Sequence, residues 1–298
     1  MDKYGIIGFP LGHSFSRGFF TEKFAREGID AEYLNFEIAD ATMLRDVLRE
    51  NPELRGLNVT LPHKQAVIPL LDELSDEARE IGAVNVIKIS QLDNCTKEQL
   101  DNCTITQLDK RTKGQLSDCK LSNRQIKLRG FNSDIIGFTE SIKPLLMPWH
   151  RKALVLGTGG ASRAVCVGLK RLGIEWTYVS RTAFPGPSKG GENCPPASPF
   201  RPSFGGEGGG YTYSDLTAEV MEQYTVIVNC TPVGMFPKVD AAPAIPYELL
   251  TPRHLLFDLV YNPEDTLFLK KGREQGARVK NGLEMLHLQA VASWRFWN

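Results

Sequence analysis

Short runs of alternating apolar and polar positions recur along the chain, and segments with helical spacing separate them, which is typical of alternating β-strands and α-helices. In the first half, strands are predicted at 3–8, 31–38, 54–61 and 83–89, and helices at 16–28, 40–50 and 65–82. In the second half, a helix near 134–147 is followed by strands at 152–157, 175–180, 225–230, 254–260 and 277–282, by helices at 161–172, 215–223 and 264–275, and by a last amphipathic helix at 283–297. Strands that alternate with helices predict parallel sheets with right-handed crossovers. The two series therefore predict an α/β fold of two domains with a cleft between them.

Two segments do not fit a compact α/β domain. From Gln91 the sequence contains four eight-residue units, QLDNCTKE, QLDNCTIT, QLDKRTKG and QLSDCKLS. An eight-residue step rotates an α-helix by two turns and about 80°, so the repeated leucines would not share one face. We expect a surface insertion over 90–124, at the tip of a hairpin between the strand at 83–89 and a strand at 125–132. The second segment, 183–210, is rich in proline and glycine and predicts a long loop.

Composition and charge exclude several classes of protein. The chain has 298 residues, of which 42% are hydrophobic, with 35 basic and 35 acidic side chains. This balance gives no electrostatic basis for binding nucleic acid or an anionic membrane surface. No apolar run approaches the roughly 18 residues that a membrane span requires, and the N-terminal sequence has too short an apolar core for a signal peptide, so we expect a cytoplasmic protein. None of the six cysteines forms a CxxC pair or has a histidine at ligand spacing, so no metal site is predicted.

The segment ALVLGTGGASRA (153–164) reads as a strand, a glycine turn and the start of a helix. Gly157 permits the tight turn, Gly159 lets the backbone approach a pyrophosphate, and the helix N-terminus attracts that anion. The spacing departs from GxGxxG, because Ser162 occupies the sixth position and Gly160 is added. The strand–helix context nevertheless favours dinucleotide binding over a merely structural turn.

The end of the next strand indicates which dinucleotide is bound. An NAD-binding domain would place an acidic residue there to hold the ribose 2′-hydroxyl. This chain has Ser180, Arg181 and Thr182 instead. An arginine suits a 2′-phosphate, and the two hydroxyls are further donors, so NADP is the predicted cofactor.

Eight short motifs occur in an order that resembles one known family. They are HSFS (13–16), NVTLPHK (58–64), GAVN (82–85), GFNSD (130–134), GTGGASR (157–163), SRT (180–182), NCTPVGM (229–235) and NGLEMLHLQA (281–290). Together they resemble the signatures of the shikimate dehydrogenase family over nearly the whole chain except the two insertions.

The resemblance implies a substrate-binding domain over 1–138, completed by the last helix at 283–298, and an NADP-binding Rossmann-type domain over 139–282. It also implies reversible reduction of 3-dehydroshikimate to shikimate by NADPH, a step towards chorismate and the aromatic amino acids. The implied partner is this small-molecule substrate. We expect a monomer or a homodimer that binds neither nucleic acid nor a membrane.

By motif position, the resemblance implies that Lys64 and Asp134 are the catalytic pair. The chemistry of a ketone reduction agrees, since hydride addition leaves an alkoxide that a lysine ammonium can stabilise and protonate. An adjacent carboxylate would orient the lysine. In the reverse direction the lysine must be neutral, which is costly for a group with an ordinary pKa of about 10.4. Two roles for Lys64 therefore stay open, as the acid/base or as a group that positions the substrate.

The resemblance also implies a set of substrate-binding residues. Ser14 and Ser16 would bind the carboxylate with help from Thr60 and Tyr261. Amide side chains suit vicinal hydroxyls because they donate and accept, and the candidates are Asn58, Asn85 and Gln289. The two serines could also cap the helix at 16–28, and Asn58 and Asn85 could be turn residues.

The predicted cofactor-binding residues include those of the glycine turn and of the second strand end, and further ones at the nicotinamide. They are Gly157, Gly159, Gly160, Ala161, Ser180, Arg181, Thr182, Thr231, Met235, Gly282 and Met285. Met285 could equally be a core residue of an amphipathic helix.

Two other functions compete with this one. The first is a quinate/shikimate dehydrogenase that prefers NAD, against which Arg181 argues. The second is a catalytically silent relative that binds the nucleotide for regulation, against which Lys64 and Asp134 argue.

Overall fold

The computed structural model describes residues 1–12, 15–92, 125–182 and 210–298. Ser14 and nearly all of the two predicted insertions, 93–124 and 183–209, therefore lie outside the described residues. The helices and strands below are numbered in chain order among the described residues.

The first sheet has six strands in the order β2-β1-β3-β5-β6-β4. Its strands are β1 Asp2–Gly8, β2 Ala31–Glu37, β3 Leu54–Val59, β4 Glu73–Leu74, β5 Val86–Leu92 and β6 Gln125–Phe131, and the helices of this part of the chain are α1 Phe15–Glu27, α2 Leu44–Glu50 and α3 Asp76–Ile81. Strand β1 pairs in parallel with both β2 and β3. Strands β5 and β6, which flank the repeat insertion, are neighbours in the sheet, as the sequence predicts.

The second sheet has the order β12-β11-β10-β7-β8-β9, and all five of its strand pairs are parallel. Its strands are β7 Lys152–Leu156, β8 Glu175–Ser180, β9 Tyr211–Thr212, β10 Val226–Asn229, β11 Leu255–Asp258 and β12 Arg278–Lys280, and its helices are α4 Asp134–Ile142, α5 Gly160–Arg171, α6 Ala218–Gln223, α7 Leu267–Glu274 and α8 Leu283–Trp297. The strand order reverses between β7 and β10, which is the doubly wound Rossmann arrangement. The predicted α/β class and Rossmann-type series are confirmed.

Both faces of the second sheet are buried, which explains why its strands are continuously apolar. One core cluster contains Val155 and Val228, and the opposite one contains Leu154 and Ile227. Helices α4 and α5 approach closely at Gly168, where an added Cβ would lie 2.8 Å from the Phe138 ring.

The core of the first sheet includes an aromatic cluster that contains the last residue of α8. The ring of Trp297 lies 4.9 Å from that of Tyr4 and 5.1 Å from that of Phe20, centroid to centroid. The indole Nε1 donates to the Ile87 carbonyl at 3.1 Å, so the polar end of this buried ring is satisfied.

The chain divides into two compact units. One comprises Met1–Leu74, Ile87–Gly130 and Trp297, and the other comprises Ser75–Val86, Phe131–Phe296 and Asn298. The domain boundaries predicted near 138 and 282 stay predictions.

The segment 65–82 is not the single helix that its pattern predicts. It contains a 3₁₀ turn at Ile68–Leu70, strand β4 and the short helix α3. Pro69 lacks the N–H that a helix interior needs. Ser75 then starts α3 by accepting a hydrogen bond from Ala78 N at 3.1 Å, and β4 pairs with β6 between these two points. The pairing of β4 with β6 and the cap at Ser75 therefore determine the structure of this segment in spite of its helical spacing.

The predicted helix at 134–147 is shorter for a similar reason. Helix α4 ends at Ile142 and a 3₁₀ turn follows over Lys143–Leu145, where Pro144 interrupts the helical hydrogen bonds. Within the described ranges, no helix combines the length and the apolarity needed to cross a membrane.

Candidate active site

In the first unit, a buried tyrosine connects two of the predicted substrate residues. Tyr33 on β2 donates from its hydroxyl to Asn58 Oδ1 on β3 at 2.7 Å, and it also hydrogen-bonds the Ser16 side chain. Burial raises the pKa of Tyr33 well above its usual value, and the bond with Ser16 only partly opposes this effect. The phenol therefore stays protonated and can fix the orientation of the Asn58 amide.

Sequence reasoning missed Tyr33. Its position in the alternating run AEYLNFEI places it on a buried strand face, and a buried tyrosine hydroxyl needs a partner. That requirement was the available signal, but the identity of the partner depends on the neighbouring strand.

The loop after β3 carries Thr60 and Lys64 and is held by backbone hydrogen bonds. Thr60 N donates to Ile7 O at 3.0 Å, and His63 N donates to Thr60 O at 2.9 Å. The His63 ring is 2% exposed, and its Nε2 lies 2.7 Å from the carbonyl oxygen of Ile38, to which it donates. His63 therefore anchors the loop, and Lys64 follows it with a half-buried side chain.

In the second unit, the GAVN and GFNSD motifs are joined by side-chain hydrogen bonds. Asn85 Oδ1 accepts from Ser133 N at 2.7 Å, and Asn85 Nδ2 donates to Ser133 Oγ at 3.0 Å. Asn132 donates to the Ala83 carbonyl and accepts from Asp134 N, both at 3.0 Å. Asn85 thus has a structural role, and its role towards a substrate stays a prediction.

Asp134 is the first residue of α4, and its side chain is buried, with 3% exposure. The positive end of a helix dipole favours a carboxylate at this position. One turn later, Gly137 lies against α8, where an added Cβ would be 2.5 Å from the Met285 carbonyl and 2.7 Å from Gln289 Cγ. The structure therefore brings Asn85 to the N-terminal end of α4, where Asp134 lies, and Gln289 to the same helix one turn further on.

The glycine turn after β7 has the geometry that a bound pyrophosphate needs. Gly157 has a φ of +92°, and an added Cβ would lie 2.7 Å from Thr231 Cγ2, so only glycine fits without strain. At Gly159 and Gly160 an added Cβ would meet nothing within 4 Å. This open approach leads to the N-terminus of α5, where Ser162 Oγ donates to Gly159 O at 2.6 Å. Ala161 follows Gly160 in the first turn. These residues fit a dinucleotide.

The predicted 2′-phosphate site lies at the end of β8. Ser180 is the last residue of that strand and donates to the carbonyl of Thr182, and Arg181 and Thr182 are exposed. Strand β9 runs beside β8 with Thr212 opposite Ser180. The residue after Thr212 is Tyr213. Burial raises the pKa of Tyr213, and the positive charge of the nearby Arg181 partly opposes this rise.

The strand ends on the other side of the switch point carry the predicted nicotinamide residues. Asn229 Oδ1 accepts from Thr231 N at 3.0 Å and from Thr231 Oγ1 at 2.6 Å. Met235 and Tyr261 are 46% and 38% exposed. Gly282 lies against the backbone, because an added Cβ would be 2.2 Å from Leu259 O.

Met285 belongs to the buried core cluster on one face of the second sheet and is 4% exposed. This burial supports the alternative interpretation of Met285 as a core residue. A role at the nicotinamide stays a prediction. Across the described ranges, no group of three or more His, Cys, Asp or Glu side chains could hold a metal ion.

Fold and site together define a class, the dinucleotide-dependent oxidoreductases with a Rossmann-type sheet and a further α/β unit. The chain belongs to the shikimate dehydrogenase family. The family model of the shikimate dehydrogenase substrate binding domain matches residues 6–87.

Similar proteins support this membership along almost the whole chain. The shikimate dehydrogenase (NADP(+)) of Desulforamulus reducens is 31% identical, over 98% of this chain and 88% of the relative. That of a Nostoc species is 33% identical, over 98% of this chain and 89% of the relative. The crystal structure of shikimate 5-dehydrogenase from Thermus thermophilus in complex with NADP(H) and shikimate has a TM-score of 0.71 at 29% identity, covering 100% of this chain and 94% of the other.

Proposed function

We propose that this chain catalyses the reversible, NADP-dependent reduction of 3-dehydroshikimate to shikimate, a step in the biosynthesis of chorismate and the aromatic amino acids. The observation that carries the proposal is the buried Asp134 carboxylate at the start of α4, held beside Asn85 through Asn132 and Ser133. Family membership indicates which reaction is catalysed. The buried carboxylate is the feature of this chain that supports an active site at the start of α4.

NADPH supplies the hydride when bound. Lys64 donates a proton to the alkoxide oxygen that forms at the reduced carbonyl, and its positive charge stabilises that oxygen before the transfer. Asp134 orients the Lys64 ammonium. In the oxidative direction, Lys64 must first lose its proton to accept one from the substrate hydroxyl. This requirement predicts faster oxidation at alkaline pH.

The substrate is a small carboxylate with several hydroxyl groups. Hydroxyl donors suit the carboxylate, and this role is assigned to Ser14, Ser16, Thr60 and Tyr261. Amides that donate and accept suit the ring hydroxyls, and this role is assigned to Asn58, Asn85 and Gln289. The Tyr33 hydrogen bond to Asn58 Oδ1 supports the assignment of Asn58, because it orients the amide of that side chain.

The cofactor assignment rests on the glycine turn and the end of β8. Backbone N–H groups at the start of α5 hold the pyrophosphate. Arg181, with Ser180 and Thr182, holds the 2′-phosphate that distinguishes NADP from NAD. We also place the reaction in the cytoplasm and expect a monomer or a homodimer, which light scattering on the purified protein would determine.

A steady-state assay that crosses shikimate and quinate with NADP and NAD tests the proposal. We expect the highest kcat/KM for the pair of shikimate and NADP. Faster turnover of quinate with NAD would favour the NAD-preferring rival. Binding of NADP without any substrate-dependent NADPH formation would favour a silent relative and contradict the proposed reaction.

A further inference from the structure

A buried carboxylate at the end of β11 accepts hydrogen bonds from three residues in different segments of the chain. Asp258 is fully buried. Its Oδ1 accepts from Asn229 Nδ2 at 2.9 Å and from Val260 N at 3.0 Å, and its Oδ2 accepts from Thr266 Oγ1 at 2.7 Å. Thr266 also caps α7 by accepting from Leu269 N at 3.4 Å.

Asn229 extends this network towards Thr231. A backbone N–H can only donate, so the bond from Thr231 N fixes Oδ1 as the Asn229 atom on that side. Asn229 Nδ2 must then face Asp258, which has to accept. Thr231 Oγ1 in turn accepts from Val233 N at 3.3 Å. The network therefore runs in one direction, from Val233 to the Asp258 carboxylate.

We propose that Asp258 is a positioning residue for turnover, whose carboxylate holds the segments 229–233 and 260–266 together so that Thr231 and Tyr261 keep their places at the carboxyl edge of the second sheet. This inference rests on the proposed function, which assigns Thr231 to the nicotinamide and Tyr261 to the substrate. The location supports it, since ligands of doubly wound sheets bind at the carboxyl ends of the strands beside the switch point.

The network is strongest around an ionised carboxylate, because hydrogen bonds to a charged acceptor are stronger than those to a neutral one. Three donors point at Asp258, and an ionised carboxylate accepts all three, whereas an amide or a carboxylic acid turns one position into a donor. Hydroxyls can reverse their role, so Thr266 could accommodate such a change, but Asn229 Nδ2 and Val260 N could not.

Burial opposes ionisation. It raises the pKa of Asp258 to about 6, although the hydrogen bonds from Thr266, Val260 and Asn229 lower it. Among the described residues, burial raises the pKa of Cys230, which follows β10, and of Tyr247, and the charge of Asp258 raises the pKa of both further. Protonation near pH 6 would therefore loosen the network.

The test compares Asp258→Asn with Asp265→Asn in the full chain. Asp265 forms a surface ion pair with Arg273 at 3.1 Å, so its variant should match the wild type. For Asp258→Asn we expect kcat/KM for shikimate to fall about 10- to 100-fold at pH 7.5, as a small misplacement of reacting groups can cause, while the Kd for NADP stays within a few-fold. We expect kcat/KM of the wild type to fall below about pH 6, where Asp258 becomes protonated, and this fall should be absent or weaker in Asp258→Asn.

A second variant covers the case in which Asp258→Asn does not fold. Thr266→Val keeps the side-chain shape and removes one hydrogen bond to the ionised carboxylate, so the acid limb of kcat/KM should move to higher pH. Wild-type kinetics in Asp258→Asn with only a lower melting temperature, or an unmoved acid limb in Thr266→Val, would overturn the positioning role. A wild-type enzyme with no shikimate-dependent NADPH formation would instead contradict the proposed function.

Discussion

The indole ring of Trp297 lies directly over Gly56, where an added Cβ would come within 2.3 Å of the ring. Gly56 is on β3 and Trp297 ends α8, so two residues far apart in the sequence share one core. Overpacking of such a contact costs about 1–3 kcal/mol. We therefore expect Gly56→Ala to lower the free energy of unfolding by roughly that amount, measured by urea unfolding. The matched control is Gly18→Ala, because an added Cβ there meets nothing within 4 Å, and an equal loss in both variants would contradict the specific contact.

The hydroxyl of Tyr33 should matter for substrate binding. In Tyr33→Phe, the Asn58 carbonyl and the Ser16 side chain each lose a partner. Because an unsatisfied buried polar group costs about 1–3 kcal/mol, we expect the KM for shikimate to rise about 10-fold, with the Kd for NADP unchanged. Tyr247→Phe removes a comparable hydroxyl, which donates to Pro243 O at 2.9 Å, and should leave KM unaltered. The role of Tyr33 would be refuted by equal KM values in the wild type and Tyr33→Phe.

The sequence predicted most of the strands and the parallel α/β class but not the contacts that organise the site. The glycine turn and the apolar strands 152–157 and 225–230 are local patterns, and local patterns predicted the Rossmann-type series. The Tyr33–Asn58 bond, the Asp258 network and strand β4 depend on partners from other segments. Hydrophobic periodicity carries no information about such pairing. The helix predicted over 65–82 therefore missed the interruption at Pro69 and the new helix start at Ser75.

Lys64 and Asp134 should both be needed for turnover. In Lys64→Ala and in Asp134→Asn, we expect kcat to fall by about two orders of magnitude or more, because the proton donor or its orienting partner is lost, while NADP binding persists. Lys23→Ala is the control, since Lys23 pairs with Glu27 at 2.6 Å on the surface. Two measurements separate the two roles of Lys64. A shift of the alkaline pH profile of shikimate oxidation in Asp134→Asn indicates acid/base chemistry, and a change confined to KM in Lys64→Ala indicates positioning.

Arg181 should determine the preference for NADP. Removal of its guanidinium in Arg181→Ala takes a charged donor from the 2′-phosphate and changes little for NAD. We expect the ratio of kcat/KM for NADP to that for NAD to fall about 10- to 100-fold. Arg171→Ala serves as the control, because Arg171 pairs with Glu80 at 3.4 Å. An unchanged ratio in Arg181→Ala would show that residues other than Arg181 bind the 2′-phosphate.

Two buried histidines should make the protein less stable in mild acid. His150 Nδ1 accepts from Met147 N, and His254 Nδ1 accepts from Thr251 N, both at 3.0 Å, so neither nitrogen can take a proton without losing that bond. Desolvation by burial lowers the pKa of both histidines.

The sign of the pH effect follows from these lowered pKa values. Unfolded histidine has a pKa of about 6.5, so below that pH the unfolded state binds more protons than the folded state. The histidines' contribution to stability is therefore complete above about pH 6.5 and is lost as the pH falls below it towards the lower folded-state pKa values. We expect the urea midpoint to drop between pH 7.5 and 5.5, and to drop less in His254→Gln. The exposed His287 gives the control His287→Gln, which should follow the wild type. An identical pH dependence in His254→Gln and the wild type would show that protonation of His254 does not drive the loss.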